Sequence, residues 1–177
     1  MIDAILFVRH GETSFNRRGL TMGWRNPGLT PTGWRQAIWA AELIGTLGAT
    51  GIVVSPMRRC LETAQPLAVL SLPTRLDPDF RERGWGTLEG CPKDWRHDAV
   101  RVAQAGVEPP EDFAARVTRA LVGLTGRSVV VSHSGVFRAI SVCLGVDVDL
   151  RIGNGDVIIL EHRHGKPWHV LPFRSPL

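Results

Sequence analysis

The sequence predicts an α/β fold in three layers: a mostly parallel central sheet, helices on both faces, and a C-terminal antiparallel hairpin at the sheet edge. Three observations lead there. The runs Ala4 to Val8, Ile52 to Val54 and Val129 to Val131 are continuously apolar and bounded by turn residues, as suits strands covered on both faces. Helical patterns alternate with these runs, the order that gives parallel strands joined by crossover helices. Val157 to Glu161 and Trp168 to Phe173 flank a His-Gly-Lys turn and read as antiparallel partners.

Each element has a local reason. After the first run comes a loop rich in Gly, Asn and Arg, and then Thr30-Pro31, an N-cap followed by proline at the first helical position, which opens a helix over about 31 to 47. Gly48 and Gly51 end it before the second strand. Pro56 opens the next helix, interrupted near Pro66. Residues 92 to 123 carry helical patterning in two pieces divided at Gly106 to Pro110, and Ser134 to Leu144 forms the last helix. No repeat or linker divides the 177 residues, so residues 1–177 are expected to form one domain able to bury its own core.

Composition narrows the function classes. With 21 Lys+Arg against 17 Asp+Glu the formal charge is +4, which suits phosphorylated or other anionic ligands and is too small to indicate nucleic acid. Cys60, Cys91 and Cys143 are odd in number, far apart and form no C-x-x-C pair, as in a reduced compartment. Asp3 and a short apolar run before Arg9 do not make a signal peptide, and no apolar stretch approaches the roughly 18 residues of a membrane span. A cytoplasmic protein without a membrane partner is expected.

Two strands end alike. Ile5-Leu6-Phe7-Val8 runs into Arg9-His10-Gly11-Glu12-Thr13, and Val129-Val130-Val131 runs into Ser132-His133-Ser134-Gly135, so parallel strands deliver two histidines to one sheet edge, where α/β folds bind ligands. A neutral imidazole is a good nucleophile toward phosphorus, an adjacent glycine lets backbone approach a phosphate, and the helix starting at Ser134 adds free N–H groups. Zinc would be the rival use of paired histidines, but no third ligand stands at recognisable spacing. The terminal His162, His164 and His169 read as exposed strand residues; no metal or cofactor is expected. A dinucleotide site fails because the first strand leads into RHGET and not into G-x-G-x-x-G. Ser55-Pro56-Met57-Arg58-Arg59 places two arginines at the start of a helix, where guanidinium groups match phosphate oxygens. Phe80-Arg81-Glu82-Arg83-Gly84-Trp85-Gly86 puts carboxylates in a glycine-rich loop, one of which could act as a general acid.

Together, RHGET continued as SFNRRGLTMGWRNPGLTPTGWRQA, then SPMRRCLETA, RERGWGTLEG and VSHSGVFRAI, resemble the histidine phosphatase superfamily, also called the phosphoglycerate mutase-like family, over nearly the whole chain. The resemblance implies a phosphomonoester hydrolase of the small phosphatase branch. His10 would become phosphohistidine, Arg9, Arg59 and His133 would complete the phosphoryl pocket with Asn16 and Ser134, and Glu82 would give the leaving oxygen its proton. Two arginines and a protonated His133 would replace metal charge. The partner is then a small-molecule phosphomonoester, with no nucleic acid.

Mutases of the family shield phosphohistidine with extra segments, whereas Cys91 to Gly126 is compact here and the chain stops at Leu177, so hydrolysis is favoured. Against that, Arg83 and Lys93 match mutase residues that hold a substrate carboxylate, and phosphoglycerate mutase-type transfer is the alternative. Thr13, Phe15, Met22, Trp24 and Trp85 complete the candidate substrate contacts, and the aromatic ones permit an apolar or ring-bearing leaving group.

Overall fold

A computed structural model describes residues 2–146, 150–162 and 167–177. Six strands form one sheet: β1 (Ile2–Arg9), β2 (Gly51–Val54), β3 (Thr74–Leu76), β4 (Gly126–Ser132), β5 (Val157–Glu161) and β6 (His169–Phe173). Their order is β3-β2-β4-β1-β5-β6. The first four run parallel, while β5 pairs antiparallel with β1 and β6 with β5. The terminal pair therefore lies at the sheet edge, as the sequence predicts; its His-Gly-Lys turn and His164 fall outside the described residues.

The helices are α1 (Ser14–Arg17), α2 (Pro31–Gly45), α3 (Arg58–Ala64), α4 (Ala99–Gln104), α5 (Pro110–Val122) and α6 (Ser134–Cys143). Ile5 and Phe7 of β1 point into a core shared with Phe113 and Val117 of α5 and Phe137 and Ile140 of α6. Leu6 and Val8 point the other way, into a core shared with Ala40 and Ile44 of α2 and Cys60 of α3. Alternate residues of one strand thus enter two cores, which is why its sequence is apolar without a break.

Thr30 caps α2 as expected, accepting the Gly33 N–H with Pro31 at the first position. Its neighbour α3 begins at Arg58, two residues after Pro56, and passes into a 3₁₀ turn over Gln65–Leu70 that carries Pro66. Between residues 92 and 123 the structure holds three pieces instead of two: a 3₁₀ turn at Lys93–His97, then α4 and α5. The sequence reading omits α1 and β3. The first is one turn closed by a capping box between Thr13 and Asn16, and β3 is three exposed residues without an apolar run.

Register places the site. Arg9 pairs with Ser132, so His10 and His133 leave adjacent strands at the same level. The His10 N–H donates to the Ser132 carbonyl at 2.9 Å and the Ser55 N–H to the Val131 carbonyl at 3.0 Å. Three neighbouring parallel strands therefore present His10, His133 and Ser55 in a row at their carboxyl ends.

Candidate active site

At that edge lies a cleft of about 250 Å³ lined by Arg9, His10, Asn16, Thr21, Met22, Arg59, Glu82, Trp85, Lys93 and Ser134, with Arg96, Arg138 and Arg151 among the others. His10 is 4% exposed. Its Nδ1 lies 2.8 Å from the Gly11 carbonyl oxygen, which can only accept, so Nδ1 carries the proton. Burial first, then the Arg59 and Arg9 guanidinium groups, hold the imidazole well below its ordinary pKa. A neutral ring protonated at Nδ1 keeps its lone pair on Nε2.

The His10 segment is fixed from several directions. The Gly11 N–H donates to Thr63 Oγ1 at 3.0 Å, and that hydroxyl donates to the Arg59 carbonyl at 2.6 Å. Asn154 Nδ2 donates to the His10 carbonyl at 3.0 Å. Gly11 itself abuts α2: a Cβ on it would stand 2.4 Å from the Gly33 carbonyl oxygen, so glycine is required for the approach.

Arg59 is fully buried. It donates to the Gly23 and Arg25 carbonyls at 2.9 and 2.8 Å and through Nε to His133 Nδ1 at 3.3 Å. Arg9 donates to the Ile152 carbonyl at 2.5 Å, and its buried Nε has no hydrogen-bond partner among the described residues. Burial, opposed in part by Glu82 and Asp156, brings Arg9 down to about 10, which leaves it charged at neutral pH.

His133 is packed behind the cleft and is absent from its wall. Its ring centroid lies 5.3 Å from that of His10. Because Arg59 donates to Nδ1, a neutral His133 carries its proton on Nε2 and gives it to Ser55 Oγ at 2.9 Å. Burial, then Arg59 and His10, hold it well below its ordinary pKa, so the protonated His133 expected from sequence is not the resting form; the standing positive charge belongs to the arginines. Cys60 Sγ lies 3.5 Å from His133 Nε2, and burial pushes that thiol up to about 12, so it stays an unreactive SH.

Glu82 reaches the cleft on the loop after a 3₁₀ turn at Pro78–Phe80. Ser132 Oγ donates to the Phe80 carbonyl at 2.7 Å, anchoring this loop to the end of β4. Buried Arg116 donates to the Asp79, Arg81 and Glu82 carbonyls and grips both Glu108 oxygens at 2.7 and 2.9 Å. The Glu82 carboxylate accepts the Arg83 N–H at 2.9 Å and the Gly135 N–H at 3.2 Å. Glu82 thereby occupies part of the α6 N-terminus that the sequence reading assigns to a phosphate, and Ser134 remains at the cleft wall.

Other expected contacts divide. Asn16 lines the cleft; its Oδ1 accepts from Thr13 and Asn154, which leaves Nδ2 to donate. Met22, Trp85 and Lys93 also line it. Thr13 does not, because its fully buried hydroxyl is used in the capping box. Phe15 and Trp24 are likewise outside the wall, the Trp24 indole N–H being bound to the Glu82 carbonyl at 2.9 Å. Arg83 is turned away: its Nε donates to the Glu108 carbonyl at 2.8 Å. Thr21, Arg96, Arg138 and Arg151 were missed. Only Arg138 had a signal, standing four residues after Ser134 on the same helix face. Thr21 Oγ1 is buried at the cleft with no hydrogen-bond partner among the described residues.

Among the described residues no three of His, Cys, Asp or Glu gather as metal ligands, and no helix is long and apolar enough to cross a membrane.

The chain is 32% identical over 187 residues to agropine synthesis reductase of Rhizobium rhizogenes, covering 97% of this chain and 42% of that protein. It thus spans less than half the length of this curated relative. It is 30% identical to a 2,3-bisphosphoglycerate-dependent phosphoglycerate mutase of Sinorhizobium fredii, over 69% of this chain and 64% of the mutase. The crystal structure of TTHB049 from Thermus thermophilus superposes with a TM-score of 0.76 at 28% identity, covering 97% of this chain and 99% of that one. A family model described as histidine phosphatase superfamily, branch 1, matches residues 5–173, and the chain belongs to that superfamily.

Proposed function

We propose that the chain hydrolyses a phosphomonoester of a small metabolite through a phosphohistidine on His10, without metal. The observation that carries this reading is the fixed tautomer of His10: with Nδ1–H held by the Gly11 carbonyl and the ring neutral, Nε2 is an unprotonated nucleophile beside Arg9 and Arg59. The Nε2 lone pair attacks phosphorus while the ester P–O bond breaks, and Glu82, entering this step as the carboxylic acid, gives its proton to the departing oxygen and is left as the carboxylate. Arg9, Arg59, Lys93 and Asn16 Nδ2 supply donors for the phosphoryl oxygens. Water then attacks phosphorus, the N–P bond breaks, and Glu82 takes the proton from water as inorganic phosphate leaves. His133 acts through its hydrogen bond from Arg59 and its contact with His10.

The test is phosphate release from a panel of phosphomonoesters in the presence of a chelator. Wild type should turn over, and His10→Ala should fall by at least about 1,000-fold. Undiminished turnover in His10→Ala would remove the nucleophile and the reading with it. Mutase-type transfer is the second reading, favoured by Lys93 in the cleft wall and by the similarity to a mutase. Interconversion of phosphoglycerates that depends on a bisphosphate primer would select it.

A further inference from the structure

We propose that Asn154 is a positioning residue for phosphoryl transfer: its side-chain amide holds the Asn16 amide with Oδ1 turned inward and Nδ2 turned to the phosphoryl group. This deepens the phosphatase reading and rests on it. Asn154 is half-buried on the loop before β5, a segment to which the sequence reading gives no role. It is absent from the cleft wall and so acts through another residue.

Asn154 Nδ2 lies 3.0 Å from the His10 carbonyl oxygen and 3.4 Å from that of Gly11. Carbonyls only accept, so the atom facing them is the NH₂ nitrogen. The same nitrogen lies 3.3 Å from Asn16 Oδ1, and its two protons serve the backbone carbonyls on one side and Asn16 on the other. Asn16 Oδ1 also receives the Thr13 N–H at 3.0 Å and the Thr13 hydroxyl at 2.9 Å. A hydroxyl can donate or accept and sets no preference, whereas the peptide N–H and the Asn154 NH₂ can only donate. These two fixed donors choose the Asn16 orientation. Turned over, Asn16 would press its own NH₂ against both of them and offer its carbonyl oxygen to the oxygens of a phosphoryl dianion. Without Asn154, a single N–H opposes that flip.

The loop holds Asn154 in place from both sides. The Gly155 N–H donates to the Arg9 carbonyl at 3.1 Å, and the Asp156 carbonyl accepts the Arg9 N–H at 3.1 Å. The buried Asp156 carboxylate accepts the Gly153 N–H at 2.6 Å and the Ser175 N–H at 2.9 Å, and pairs with Arg174 at 2.5 Å. Asn154 is thus carried on the backbone of Arg9 and His10, and one amide touches both the nucleophile's own carbonyl and the phosphoryl donor. Aspartate there would set a carboxylate against three oxygens, and alanine would leave them without a donor.

The test is a double-mutant cycle between positions 154 and 16, read by calorimetric affinity for inorganic phosphate and by kcat and KM on 4-nitrophenyl phosphate. With Asn16 present, Asn154→Ala should weaken phosphate binding and lower kcat/KM by about tenfold each, the kinetic loss falling chiefly on kcat. In an Asn16→Ala background the same change should cost less than about twofold. No loss with Asn16 present, or an equal loss in both backgrounds, would overturn the proposal, because a loop that had merely loosened harms either background alike. Wild type supplies a check that needs no variant: by NMR the Asn16 NH₂ signals should shift on titration with inorganic phosphate while the Asn154 NH₂ exchanges slowly with solvent. An Asn16 NH₂ that ignores bound phosphate would also overturn the proposal. If wild type binds phosphate but turns over no phosphomonoester, the hydrolytic reading falls and the binding arm of the cycle still judges Asn154. Wild type that binds no phosphate would overturn both.

Discussion

His10 and His133 are neutral because burial and two arginines oppose a further positive charge, and that has a consequence for stability. Histidine in the unfolded chain protonates near its ordinary value of about 6.5, whereas both residues in the fold protonate well below it. Between those limits the unfolded state binds more protons, so stability is full above about pH 6.5 and is lost as pH falls below it, by up to about 1.4 kcal/mol per pH unit for each histidine. Urea midpoints should therefore be lower at pH 5.5 than at pH 7.5, with a smaller drop in His133→Gln; an equal drop in the variant would mean that His133 is not held neutral. Glu82 gives a second residue-scale prediction. Glu82→Gln should lose about 100-fold on alkyl phosphates, whose leaving oxygen needs a proton, and far less on 4-nitrophenyl phosphate, whose leaving oxygen does not. Equal losses on both would assign Glu82 to positioning alone.

The elements hold these side chains by close backbone approach as much as by packing. The first turn of α2 lies against the loop after β1, where a Cβ on Gly33 would stand 2.2 Å from the Glu12 carbonyl oxygen. In an exposed helix, Gly→Ala stabilises by about 1 kcal/mol. Here Gly33→Ala should instead lower stability by about 1–3 kcal/mol, because backbone must move, and should reduce turnover by disturbing the Gly11 carbonyl that fixes His10. A thermal midpoint equal to or above that of wild type would show that the contact yields. The central strands and most helices were legible because burial on both faces writes an unbroken apolar run and Thr30-Pro31 writes a helix start. α1 and β3 were not: one is a single turn made by the Thr13 side chain, and the other depends on the edge of β2 for its pairing.

At the scale of the molecule, a parallel sheet turns sequence distance into proximity. Residues 10, 55 and 133 meet because β1, β4 and β2 are neighbours in register, and the RHG and SHS motifs at two strand ends made the histidine pair readable in advance. The helix start after β2 pointed to Arg58 and Arg59 together, and it was the family resemblance that singled out Arg59. The meeting of further arginines in the cleft was not readable. Arg96, Arg138 and Arg151 come from a turn, a helix and a loop whose convergence is a property of the folded chain, and Phe15 and Trp24 lie outside the cleft wall because loop membership does not fix the direction of a side chain. The central claim is that Nε2 of His10 takes the phosphoryl group, and the most direct measurement is to trap the phosphoenzyme by rapid quench and identify the phosphorylated nitrogen by NMR. The account predicts an acid-labile, alkali-stable adduct on Nε2 of His10, absent in His10→Ala. An adduct on Nδ1, or on another residue, would contradict it.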